Sequence, residues 1–214
     1  IGNEMFEDCD DLTSVTISDG VTSIGDSAFK DCRDLKTVII PDSVTKIGAD
    51  AFSGCSNLQY YEYGDALYLG NEKNHYAALV GIRKDATSVQ MSPSTKVIGD
   101  GVFANNQSLT SVTIDGVTTI GDSTFFGCSG LTSVIIPNGV TVIGSGAFSW
   151  CSNLKSVTIP NGVTAIGSEA FYHCDSFTSV KIPSSVKFVG SKAFAYCTFL
   201  TDINIPDGVT TIGD

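Results

Sequence analysis

Apolar residues return along this chain at a fixed interval. Leu12, Leu35, Leu58, Ala86, Leu109, Leu131, Leu154, Phe177 and Leu200 each open a copy of one unit, with spacings of 23, 23, 28, 23, 22, 23, 23 and 23 residues. Residues 131–153 give the unit in full, L-x-x-V-x-I-P-x-x-V-x-x-I-G-x-x-A-F-x-x-C-x-x. Val134 and Ile136 alternate with polar or variable neighbours, which predicts a short half-buried strand with two inward residues. Pro137 cannot donate to a continuing ladder, so the strand ends there, and Asn138-Gly139 supplies the turn. Val140 and Ile143 then point back to the core, Gly144 permits a tight corner, and Ser145 to Cys151 have room for one short helical turn.

A single coil cannot bury its own apolar stripe. Coils stacked about 4.8 Å apart pair their strands and merge their stripes into one core. The pattern therefore predicts a repeat solenoid of about nine 23-residue coils. It is a rod or shallow arc on the order of 40 Å long, with a parallel β-sheet on one face and short turns or helical corners on the other. Phe6, Phe29, Phe52, Phe103, Phe125, Phe148, Phe171 and Phe194 form one inward column, and the Ile-Gly dipeptides from Ile24-Gly25 to Ile212-Gly213 another.

One coil breaks the rhythm. Residues 64–85 lie in a coil that is five residues too long and lacks the I-G-x-x-A-F-x-x-C portion. Alternation over residues 66–69 and 77–80, around the polar stretch 70–76, predicts a β-hairpin with His75 at its tip. Five of the seven tyrosines fall in or just before this island. Aligned with neighbouring coils, Tyr61 and Tyr63 face inward, whereas Tyr60 and Glu62 face outward beside His75. Tyr60, Glu62 and His75 are therefore candidate contacts for a partner.

The P…IG…AF…C spacing, repeated over essentially the whole chain, resembles the leucine-rich repeats of the bacterial surface protein A (BspA-like, treponemal-type) family. The resemblance implies a leucine-rich-repeat arc with its parallel sheet on the concave face, a cell-surface or secreted adhesion role, and no catalytic residues.

The 214 residues show no break in composition, so one elongated domain over 1–214 is expected. The sequence starts and stops at the same point of the repeat, as a segment of a longer protein would. A net charge of −11 argues against nucleic acid or an anionic membrane as the main partner, and most of that field comes from residues 1–107, with 16 acidic and 8 basic residues. No apolar run is long enough for a transmembrane helix, so membrane insertion is not expected of this segment.

Cys9, Cys32 and Cys55, then Cys128, Cys151, Cys174 and Cys197, recur at 23 within their groups. Equivalent positions in adjacent coils carry parallel Cβ vectors, which is poor disulfide geometry, so a ladder of free buried thiols is expected. Asn106 replaces the cysteine in one coil, as suits a site whose polar atom meets loop backbone.

No cofactor or enzymatic motif emerges. His75 and His173, the two histidines, stand in no metal-ligand spacing, and the glycines make neither a dinucleotide turn nor a Walker loop. Asp8 with Asp31, and Asp11 with Asp34, occupy equivalent positions in neighbouring coils, where stacked carboxylates invite a cation such as calcium or else remain solvated beside Arg33. Overlaying the coils exposes one more departure. The residue before the cysteine is Trp150, His173 and Tyr196 in three consecutive turns, with Tyr172 adjacent, where other coils hold Asp, Gly or Asn. This stripe is a candidate surface for a protein or glycan ligand. The opposite face presents outward strand residues such as Thr13, Ser14, Thr16, Ser156 and Thr158. The expected function is a non-catalytic extracellular or cell-surface scaffold for protein binding or adhesion. The alternatives are a structural spacer or head-to-tail filament subunit, and an accessory repeat domain of a larger enzyme.

Overall fold

The computed structural model describes residues 1–214. Each regular coil contributes a three-residue strand and, after the turn, a two-residue strand. Ser88–Gln90, Ser111–Thr113, Ser133–Ile135 and Ser156–Thr158 pair in parallel and in register, with Val112 opposite Val134 and Val134 opposite Val157. Their middle residues are buried and their flanking residues exposed, as the alternation predicts. Ser14–Thr16 with Thr37–Ile39, and Ser179–Lys181 with Asp202–Asn204, repeat the arrangement towards the two ends.

The Ile-Gly column proves to be a second parallel sheet. Thr119–Ile120, Val142–Ile143, Ala165–Ile166, Phe188–Val189 and Thr211–Ile212 pair in succession. The glycine that follows each of these strands lets successive corners approach closely. A Cβ on Gly144 would sit 2.7 Å from the Gly121 carbonyl carbon and 2.8 Å from the Asp122 nitrogen.

The corners are turns, not the helical turns expected from the sequence. Two residues per corner are left-handed, for example Gly146 (φ 60°) and Trp150 (φ 62°), and such residues do not propagate a helix. They aim alternate N–H groups along the solenoid axis. Gly146, Phe148 and Trp150 donate to the Ser168, Ala170 and Tyr172 carbonyls of the next coil, at 2.8, 2.7 and 2.8 Å. The third wall is thus hydrogen-bonded coil to coil without being a sheet.

Inside, the phenylalanines stack with ring centroids 4.8 to 5.3 Å apart from Phe103 through Phe125, Phe148 and Phe171 to Phe194. The buried thiols run beside them. Each Sγ–H donates to the phenylalanine carbonyl one coil back, from Cys32 to Phe6 at 3.0 Å through Cys197 to Phe171 at 3.1 Å. All seven cysteines are free and only Cys9 is exposed. Burial pushes the Cys55 thiol up to about 11 and that of Cys128 up to about 12, and raises those of Cys151 and Cys174 further.

The irregular coil divides the core into clusters of 38 and 17 buried residues. Ala66–Leu69 and Ala78–Ile82 form the expected hairpin, and Tyr61–Tyr63 adds a third antiparallel strand. Ala78–Ile82 then pairs in parallel with Val97–Ile98, which returns the chain to the solenoid.

Candidate functional site

The C-terminal stripe forms from three left-handed corners. Trp150, His173 and Tyr196 have φ of 62°, 53° and 59°, where the same position in earlier coils holds Asp8, Asp31, Gly54, Asn105 and Gly127. Asp, Asn and Gly tolerate this conformation, whereas bulky side chains pay for it. The stacking of coils makes the three rings a ladder. The Trp150 and His173 centroids lie 3.9 Å apart at 14°, and those of His173 and Tyr196 4.6 Å apart at 4°. Tyr172 stands edge-on to all three, at 6.1, 4.7 and 5.1 Å from Trp150, His173 and Tyr196. Asp175 Oδ1 lies 3.5 Å from His173 Nδ1. Trp150 is 45% and Tyr196 59% exposed, so the ladder shows its edges to solvent. The ladder position before Trp150 is Gly127, which has no side chain to cover the second indole face, and the Asn105 amide leans over that glycine. Beneath the stripe, the buried Ser149 hydroxyl has no hydrogen-bond partner.

The coil overlay aligns Trp150, His173 and Tyr196 with Tyr172 adjacent, and the structure brings these four rings together; the same overlay puts Asn105 and Gly127 in the column, although neither stands out as a contact residue. The signal was present, since Asp, Gly and Asn before the cysteine mark a left-handed position.

At the irregular coil, Tyr60 and Tyr61 exchange their expected facing, whereas Tyr63 packs against the larger core as expected. Tyr60 packs inward against the smaller core, where burial pushes its phenol up to about 12. Tyr61 faces outward and stacks on His75, with centroids 4.2 Å apart at 2°. The Gln59 N–H still donates to the Lys36 carbonyl as in a regular coil, but Tyr61–Tyr63 then leaves the parallel ladder to pair antiparallel with Ala66–Leu69, which displaces Tyr60 and Tyr61 while Tyr63 keeps its inward contact. Glu62 is exposed as expected and pairs with Arg83 at 2.6 Å, a partner the sequence did not indicate.

The four aspartates proposed as a cation site do not converge, and no group of three or more metal-ligating side chains forms. Arg33 lies 3.0 Å from Asp10 and 3.8 Å from Asp31, and Asn57 Nδ2 donates to Asp34 at 3.2 Å. Asn106 behaves as read: its amide donates to the Ala86 carbonyl at 3.2 Å and accepts from the Ser108 and Leu109 N–H groups.

The sequence matches the family described as BspA type leucine rich repeat region (6 copies) over residues 1–130 and 118–214. Among solved structures, a leucine rich cell surface protein from Faecalibacterium prausnitzii is 30% identical with a TM-score of 0.65, covering 95% of this chain and 62% of that protein. The chain therefore spans less than two thirds of that relative. A leucine-rich repeat protein from Bacteroides ovatus is 23% identical with a TM-score of 0.41, covering 100% of this chain and 78% of its own. The T. pallidum leucine rich repeat protein is 23% identical with a TM-score of 0.36, covering 94% and 70% respectively. No curated protein matches the chain. No helix is long and apolar enough to cross a membrane.

Proposed function

Because this chain is a member of the BspA-type leucine-rich repeat family, we propose that it is a non-catalytic, cell-surface adhesion scaffold. It binds a protein or glycan ligand through the aromatic ladder of Trp150, His173 and Tyr196, flanked by Tyr172. One observation carries this reading. Three bulky rings occupy left-handed positions that Asp, Asn and Gly fill elsewhere in the same chain, and they are partly exposed there. Backbone strain kept in this way clusters at ligand-contact surfaces. The half-exposed Trp150 indole follows Gly127 in the ladder, with the Asn105 amide beside that glycine, and suits a ligand that is flat and apolar on one side and polar around its rim, such as a sugar ring. The extracellular placement rests on the description of the Faecalibacterium relative as a cell surface protein.

The test is an array of glycans and extracellular-matrix proteins probed with the native chain and with a variant carrying Trp150→Asn, His173→Asn and Tyr196→Asn. The native chain is expected to give saturable hits that the variant loses. Hits that survive in the variant, or an array without any, would count against the ladder as the binding surface.

A further inference from the structure

The missing corner of the irregular coil leaves a cleft of about 650 Å³ between the corner Asp50–Gly54 and the corner Asp100–Ala104. In regular coils three alternate corner N–H groups donate to three carbonyls of the next coil, as Ser27, Phe29 and Asp31 do to Ala49, Ala51 and Ser53 at 2.8, 2.8 and 2.7 Å. The corresponding N–H groups of Asp50, Phe52 and Gly54 have no partner in the protein, and on the facing wall the carbonyls of Asp100, Val102 and Ala104 receive no donor. The phenylalanine column is interrupted at the same place. Phe29 stacks on Phe52 and Phe103 on Phe125, but Phe52 and Phe103 do not stack on each other. The half-buried Tyr60 also lines the cleft. At the second sheet the two walls meet, with the Asp100 N–H donating to the Ile47 carbonyl at 2.8 Å and Lys46 lying 3.4 Å from Asp100 and 3.3 Å from Asp122, so the cleft opens from there towards the corners.

We propose that this cleft binds a short peptide segment of a partner protein, which takes the place of the absent corner. The peptide offers three alternate carbonyls to the N–H groups of Asp50, Phe52 and Gly54 and three alternate N–H groups to the carbonyls of Asp100, Val102 and Ala104. This is backbone recognition of the kind used when a strand is added to an open edge. Between those bonds a small and an aromatic side chain, like the Ala-Phe pair of five of the corners, enter the gap in the phenylalanine column. Residues 1–107 hold 16 acidic and 8 basic residues, so a neutral or basic peptide is preferred over an acidic one. The cleft meets the aromatic ladder at Asn105, whose side chain lines the one and edges the other, but Trp150, His173 and Tyr196 are not among the residues that line the cleft.

The experiment uses fluorescence anisotropy with a labelled peptide copying residues 143–152, serine replacing its cysteine. A second peptide is N-methylated at the three amides copied from Gly146, Phe148 and Trp150, those that donate between coils in the regular solenoid. The protein is taken in native form and as Ala104→Tyr, a change the fold accommodates because equivalent positions hold Phe126 and Tyr172. Saturable binding of the first peptide is expected, weakened by about tenfold or more by N-methylation and by Ala104→Tyr, and unaltered in the Trp150→Asn, His173→Asn, Tyr196→Asn variant. Absence of saturable binding, equal binding of the methylated peptide, or indifference to Ala104→Tyr would each overturn the proposal. Loss of binding in the ladder variant would show that the two surfaces are one.

Discussion

The cysteine of each coil shows why particular letters repeat. Its thiol reaches one acceptor, the phenylalanine carbonyl one coil back, and is otherwise surrounded by apolar atoms. Asn106 stands in the coil that follows the missing corner, where no such carbonyl exists, and its longer amide finds Ala86 instead. The ladder of thiols was legible because position and burial share one period. The left-handed φ before each cysteine was legible too, in the Asp, Gly and Asn of the early coils, and the aromatic substitutions stand out only against that background. Two outcomes follow from the thiols. A small aromatic disulfide reagent added to the native chain at pH 8 should titrate one cysteine, Cys9, and the remaining six only after denaturation. Burial raises the thiols above their ordinary value of 9.0, so the stability they confer is complete below about pH 9. It is lost as pH rises through the folded values, because the unfolded chain ionises first. Urea midpoints measured from pH 7 to 11 should therefore fall above pH 9, by about 1.4 kcal/mol per pH unit for each fully buried thiol. A midpoint independent of pH over that range would contradict the ladder.

Among the elements, the regular strands were readable from alternation, but the two-residue strands of the second sheet were not. Ile143 and its counterparts showed only that they point inward, and two residues carry too little pattern to distinguish a strand from a corner. The irregular coil was readable as a hairpin, and its facing was readable at Glu62 and Tyr63 but not at Tyr60 and Tyr61. Tyr60 and Tyr61 exchange sides because Tyr61–Tyr63 pairs with Ala66–Leu69 and not with its parallel neighbour. The unpaired N–H and C=O groups of the cleft carry no letter at all, since every residue has them. Lys46 bridges the second sheet across this coil, facing the nearly buried Asp100. Burial raises the Asp100 carboxyl above its usual 3.8, against the pull of Lys46. Lys46→Ala should destabilise the chain by about 1–3 kcal/mol at neutral pH, because it strands that carboxylate. For a carboxyl with a raised folded pKa, stability is gained as pH falls through that pKa and is complete below 3.8. The deficit of Lys46→Ala should therefore shrink on acidification towards pH 4. A deficit unchanged between pH 7 and 4 would place the role of Lys46 elsewhere.

At the scale of the molecule, near-identical coils build a scaffold, and what is particular to it lies where a coil departs from the rule. The cleft interrupts one wall, and the aromatic ladder replaces residues that suit their backbone with residues that do not. If the rings served the fold, removing them would cost stability. If they are kept for a partner, removal should relieve strain of about 1–3 kcal/mol per site, set against the lost ring contacts of about 0.5–1.5 kcal/mol per pair. The most direct measurement is the urea-unfolding stability of the chain carrying Trp150→Asn, His173→Asn and Tyr196→Asn. A midpoint equal to or above that of the native chain is predicted. A loss of several kcal/mol would show that the ladder is core packing and contradict its assignment as a binding surface.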